Sequence, residues 1–130
     1  MSDFTNSLAL SANGLKAQAQ RLRLVSENIA NADTPGYRRK VVTFENVAAA
    51  GGVGAKVQAG PVILDQSPLD RIFDPSSPIA DEDGHYDGSN VDLVIEVADA
   101  REAQRSYEAN LKMFDQAQQM SASLLDLLRR

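Results

Sequence analysis

Chemical potential in this 130-residue chain concentrates in two short runs. The first is "DEDGHYDGSNVD" (81–92), acids gathered around the single histidine. Acids alternating towards a glycine are the ligand pattern of a twelve-residue calcium loop, which a bidentate Glu closes. Counted from Asp83, the sixth position is Gly88 as such a loop requires, but the twelfth is Val94 and His85 replaces an oxygen donor. Counted from Asp81, the sixth position is Tyr86. Neither register closes, so no metal is assigned. The run reads instead as an acidic turn before a helix N-terminus, where negative charge suits the helix dipole. The second run is Tyr37-Arg38-Arg39-Lys40, three cations beside a ring. That set can grip phosphates and stack on a base, but it lacks the further basic and aromatic residues a nucleic-acid face needs. A solvated strand edge, or an ion-pair partner for a neighbouring surface, is the plainer reading.

Catalytic machinery is missing. The chain has no Cys, His85 stands alone, no Ser or Asp sits at a nucleophile spacing, and there is neither a Gly-rich phosphate loop nor an HExxH. The sequence therefore reads as no enzyme and as needing no cofactor. Net charge is −5, distributed unevenly: residues 1–47 carry six cations and four anions, residues 48–90 two and seven, residues 91–130 five and seven. An acidic chain is a poor general partner for phosphate backbones, which bind by releasing counterions onto Lys and Arg. The opening "MSDFTNSLALSANGL" has no basic n-region, and no window nears the roughly 18 apolar residues of a membrane span. The expectation is a chain without a span, cytoplasmic or exported by a route that needs no cleaved signal.

These runs sit between two long amphipathic segments. Leu8, Leu15, Leu22 and Ile29 recur at seven-residue steps, with Ala12, Ala19 and Val25 beside them, and predict one helix over 3–31. Residues 90–129 repeat the pattern through Val97, Ala100, Tyr107, Leu111, Phe114, Leu125 and Leu128. Ser89, with Asp92 three residues on, or else Asn90, is expected to cap that helix. Pro35 cannot continue the first helix, and Gly36 tolerates the dihedrals of a turn. Between the helices "YRRKVVTFENV" is β-rich, and "AKVQAGPVILDQSPLDRIF" suggests one or two strands with a break at Pro61. "AAAGGVGA" (48–55) reads as a flexible connector, and residues 74–89 as turns. The predicted class is mainly α: long N- and C-terminal helices, with a small β or irregular insert between them. Residues 1–34 with 90–130 would form one discontinuous helical domain and residues 35–89 a second. Each greasy stripe needs more partners than one hairpin supplies, which points to assembly. The alanines and glutamines of "LKAQAQRLRL" and "FDQAQQMSAS" suit close helix approach across subunits.

At this point a family shows. "SENIANADTPGYRRK" (26–40) resembles the N-terminal signature of bacterial flagellar axial proteins, which comprise rod, hook and hook-associated subunits. Residues 74–120 look like a proximal rod subunit, and "RSYEANLKMFDQAQQM" (105–120) is the most discriminating run. The resemblance covers 4–47 and 74–130. It implies that the terminal helices pack as an inner coiled coil lining a tube, and that Pro35 and Gly36 mark the exit to an outer β domain. Leu8, Leu15, Leu22, Ile29, Tyr107, Leu111, Phe114 and Leu125 would then form the assembly interface. Arg38, Arg39 and Lys40 would meet acidic groups between subunits. It also implies other rod proteins and further copies of the chain as partners, together with the flagellar type III export apparatus, and a place in the periplasmic rod that transmits torque. The competing reading is a soluble acidic helical-hairpin adaptor, or a calcium-responsive binding module.

Overall fold

The computed structural model describes residues 2–48 and 55–129. The connector expected over 48–55 lies, apart from its two end residues, outside them. Helix α1 runs Ser2–Ala30, strands β1 and β2 are Lys40–Ala48 and Ala55–Leu64, β3 and β4 are Arg71–Phe73 and His85–Asp87, and helix α2 runs Leu93–Arg129. The expected architecture, two long terminal helices packed together around a small β insert, is the one observed.

Both helices follow from their composition. Ala, Leu, Gln, Glu and Arg dominate them, and these residues lose little on entering a helix. Asp3 sits in the first turn of α1, where a negative charge is favourable. At the other end Asn31 closes the helix, its side chain and its main-chain N–H donating to Glu27 O at 2.9 and 3.1 Å. Pro35 then excludes a further turn, and Gly36 takes φ 74°. The cap of α2 differs from the expectation. Neither Ser89 nor Asn90 fills it; Asp92 does, accepting at Oδ1 from Val94 N at 3.0 Å, while Glu96 N donates to Asp92 O at 3.0 Å. Ser89 is instead turned to Ala32, whose carbonyl its hydroxyl reaches. Asn90 is occupied elsewhere.

The helices run antiparallel. Asn28 meets Glu96, Arg21 meets Asp99 and Glu102, Gly14 meets Asn110, and Phe4 and Ser7 lie beside Gln116 and Ala117. The seam therefore steps through residues 7, 14, 21 and 28 against 117, 110, 103 and 96, heptad against heptad. It is built of small and polar groups: Ser11, Ala17, Ala103, Ala117 and Asn28 are buried. Small side chains let the axes approach, and a Cβ added at Gly14 would stand 2.6 Å from Asn110 Oδ1. At about 1.5 Å per residue the 29-residue α1 is roughly 43 Å long. The 37 residues of α2 give roughly 55 Å, so α2 outruns its partner.

β1 and β2 pair antiparallel from Lys40↔Leu64 to Ala48↔Ala55, with a register shift between Val42 and Phe44. Val42 faces Val62 and Phe44 faces Ala59, so Gly60 and Pro61 together oppose Thr43. Pro61 is thus a bulge within one strand and not a break between two, because a bulge leaves a residue that need not donate to the ladder. This ribbon packs on α1 and helps bury Leu24 and Val25. The second pair, β3 with β4, matches Arg71↔Asp87, Ile72↔Tyr86 and Phe73↔His85.

Candidate assembly surface and its supporting junction

The exit from α1 is held by one buried asparagine. Asn28, 1 % exposed, uses every hydrogen-bonding position of its amide. Its Oδ1 accepts from Tyr37 Oη and Lys40 N, both at 2.8 Å, and its Nδ2 donates to Lys40 O at 2.9 Å and Glu96 Oε2 at 3.3 Å. The amide pairs with both main-chain groups of Lys40 as a neighbouring strand would, so β1 starts on the side of a helix. Glu96, fully buried, is the charge at the centre. Its Oε1 accepts from Arg39 Nε at 2.7 Å, and Arg39 also reaches Asp65 at 3.3 Å and Asp99 at 3.4 Å. Burial works against the Arg39 charge, but its bonds to Glu96 and Asp65 outweigh that and raise its pKa. The Ser67 hydroxyl and main-chain N–H hold the Asp65 carboxyl below its ordinary range, with Arg39 adding to the effect. Burial, then the charge of Glu27, pushes the Tyr37 hydroxyl up.

Asn90 completes the junction. It accepts from Arg39 N at 2.7 Å and donates to Asp65 O at 3.0 Å and Ser67 O at 3.2 Å. Gly36 N lies 3.1 Å from both Asp87 O and Gly88 O, fastening the exit turn to the end of β4. α1, the exit turn, both strand pairs and the start of α2 thus converge within one bonded cluster.

The three expected inter-subunit cations find partners at home. Arg39 is bonded to Glu96, Asp65 and Asp99, and Lys40 to Glu27. Arg38 donates to the carbonyls of Asp65 and Ser67 at 3.3 and 3.1 Å. The acidic run is likewise engaged in its own fold. Asp81 Oδ1 accepts from His85 N at 2.9 Å and Asp83 N at 3.0 Å, and its Oδ2 meets Arg71 at 2.6 Å. Those bonds hold the Asp81 carboxyl down, the His85 N–H contributing most. The His85 ring lies 5.0 Å from that of Phe73, tilted by 56° to it. Among the described residues no three His, Asp or Glu side chains gather into a metal-holding group, and no helix is long and apolar enough to cross a membrane.

The apolar stripe predicted as an assembly interface lies beside the seam rather than in it. Leu8, Leu15 and Leu22 are half-buried and Ile29 exposed, each one residue past the seam position. Tyr107 and Phe114 are half-buried, while Leu111 and Leu125 are exposed. Further apolar groups stand uncovered on α2: Leu93, Val94, Ile95 and Val97 at its start, Met113 and Met120 midway, Leu124, Leu127 and Leu128 at its end. Heptad spacing on its own cannot separate two adjacent faces of one helix. The junction residues Asn28, Glu96 and Asp65 escaped the sequence reading, and Asn90 was read there only as a helix cap, since nothing in spacing links positions 68 residues apart.

Comparisons with known proteins bear on both helices. Residues 8–38 match the family described as "Flagella basal body rod protein", and residues 82–127 match "Flagellar basal body rod FlgEFG protein C-terminal". The chain is 44 % identical over 128 residues to the flagellar basal-body rod protein FlgC of Agrobacterium fabrum, covering 92 % of this chain and 91 % of the relative. The FlgC proteins of Salmonella typhimurium and Bacillus subtilis are 34 % and 30 % identical, each match spanning 94 % of this chain and 96 % of the relative.

Proposed function

Since the chain belongs to the FlgC family of flagellar basal-body rod proteins, we infer that it is a structural subunit of the basal-body rod that assembles with other rod components through the apolar flanks of its helix pair. One observation carries the mode of assembly. The seam between α1 and α2 is closed by small and polar groups, and most large apolar side chains of both helices, Leu24 and Val25 apart, are left half-buried or exposed. A free chain with this much apolar surface on two long helices is unfinished; monomers rarely leave so extended a stripe to water. Leu8, Leu15, Leu22 and Ile29 on α1, with Tyr107, Leu111, Phe114 and Leu125 on α2, are proposed to meet neighbouring subunits. In this reading residues 1–34 with 90–130 act as the inner unit and residues 35–89 as the outer one, with Pro35 and Gly36 at the exit between them.

Further features are proposed on the same footing. The chain would leave the cytoplasm through the flagellar type III export apparatus without losing a signal segment, and would take its place in the periplasmic part of the rod, where it transmits torque. No catalytic step is assigned. The inter-subunit charge role narrows to Arg38, whose guanidinium bonds among the described residues only to main-chain oxygens, because Arg39 and Lys40 are already matched within the chain.

The test is incorporation. Leu22→Asp and Phe114→Asp each place an unpaired charge where a close-packed interface is proposed, and truncating such a residue already costs about 2–5 kcal/mol. Both variants are expected to be made and secreted yet missing from purified basal bodies, whereas Arg23→Ala on an exposed position stays near parental. Normal incorporation of both Asp variants would remove these flanks from the assembly surface.

A further inference from the structure

The first turns of α2 carry a shallow groove lined by Leu93, Val94, Val97, Ala98, Arg101 and Arg105. Val94, Val97, Arg101 and Arg105 follow three- and four-residue steps and so share one face of the helix. Glu96, Ala103 and Asn110 occupy the side turned to α1. The groove is apolar at its start and basic at its end. Val94 is 79 % exposed. Among the described residues, Arg101 and Arg105 have no carboxylate within ion-pair distance.

A surface of the opposite character sits at the tip of the β3–β4 unit. Phe73 is 64 % and Ile79 55 % exposed, and beside them stand Glu82 and Asp83, both exposed and without an ion-pair partner among the described residues. Asp81, by contrast, is held by Arg71. Apolar-with-negative therefore complements apolar-with-positive on one and the same chain. Within a single copy neither β3 nor β4 packs on α2.

We propose that the α2 groove receives the β3–β4 tip of a second copy of this chain. Glu82 and Asp83 of that copy pair with Arg101 and Arg105, and its Ile79 covers Val94 and Val97. Two different patches that fit one another make a heterologous contact, which adds copies in sequence and closes a ring only if the rotation permits. Opposite charges at the rim set the register of that contact and exclude wrong neighbours more than they add affinity. This contact rests on the rod-subunit reading, but it is separate from the Leu and Phe flanks invoked above.

The chain has no cysteine, so a disulfide between introduced residues reports one contact. Ile79→Cys and Val97→Cys, which the proposed contact brings together, are placed in the full chain, expressed in flagellated cells, and purified basal bodies are oxidised. Disulfide-linked species of two or more copies are expected from the double variant and none from either single one. Parental incorporation without a linked species, a link to a different protein, or linkage in a single variant would each overturn the proposal while leaving the rod assignment standing. Absence of the unaltered chain from basal bodies would remove the rod assignment and this contact together. A second arm needs no cross-link. Arg101→Glu with Arg105→Glu, and separately Glu82→Arg with Asp83→Arg, should each lower incorporation about tenfold, since like charges then face each other. Combining all four should restore most of it. A combined variant no better than its parents would overturn the pairing.

Discussion

At Asn28 a single side chain stands in for a length of strand. Its amide pairs with both main-chain groups of Lys40 while also binding Tyr37 and Glu96, so no isostere serves all four partners. Asn28→Asp puts a second acceptor against Lys40 O and against the buried Glu96 carboxylate. A loss of more than about 2 kcal/mol in denaturant unfolding is expected, because buried groups go unpaired and like charges meet. Arg39→Ala is expected to cost about 3 kcal/mol by leaving the Glu96 carboxylate uncompensated, and Glu96→Gln much less. Equal losses for Arg39→Ala and Glu96→Gln would show that charge is not what matters there. Asp65 gives the pH dependence. Its folded pKa lies below the ordinary 3.8, so its contribution is complete above that value and is lost as pH falls through the lower folded value. Acid titration should therefore show stability falling below about pH 4 in the parent and a shallower fall in Asp65→Asn. An unchanged slope would remove Asp65 from the account.

At the scale of the helices, the close approach at Gly14 opposes two effects. Ala favours a helix interior over Gly by about 1 kcal/mol, yet a Cβ at Gly14 meets Asn110, whose amide is tied to Ser106 O at 2.8 Å. Gly14→Ala alone should therefore destabilise, and in an Asn110→Ala background it should stabilise by about 1 kcal/mol. Thermal or denaturant unfolding of the four members of that double-mutant cycle decides. A stabilising effect in both backgrounds would mean the helices have room to part. The same helices show how far a sequence can be read. Leu8, Leu15, Leu22 and Ile29 announced α1 by their spacing, and the Pro35–Gly36 pair announced its end. The seam fell one residue earlier, at positions such as Gly14 and Asn28, with Ser11 and Ala17 buried alongside, because hydrophobicity marks the faces that need covering and is silent on where small residues admit a neighbour. The cap moved from Ser89 or Asn90 to Asp92 for a related reason: Ser89 and Asn90 were drawn into contacts with Ala32, Arg39 and Asp65, far away in sequence. Pro61 read as a break, since a bulge shows only when the opposing strand is known.

For the molecule as a whole, protection against unfolding should be graded. Bonds that tie distant segments cluster around Asn28, Glu96 and Asn90, whereas the far end of α2 has Leu124, Leu127 and Leu128 in solvent. Amide exchange of the purified monomer at micromolar concentration is expected to be fast over 2–10 and 118–129 and slowest around the junction. Slow, uniform exchange to both tips in a proven monomer would contradict the view that the helix ends are completed by neighbours. The burial of Glu96 beneath Arg39 also sorts the molecule's charges by their response to ionic strength. Around 1 M salt the Debye length shrinks to about 3 Å and exposed pairs fade, while a pair shut away from water is screened far less. Contacts between subunits made through open arginines should loosen in brine long before the junction does. Concentrated salt would then relax the register those open charges impose, while the apolar contacts and the subunit's own joint persist, and low salt would restore the register without refolding.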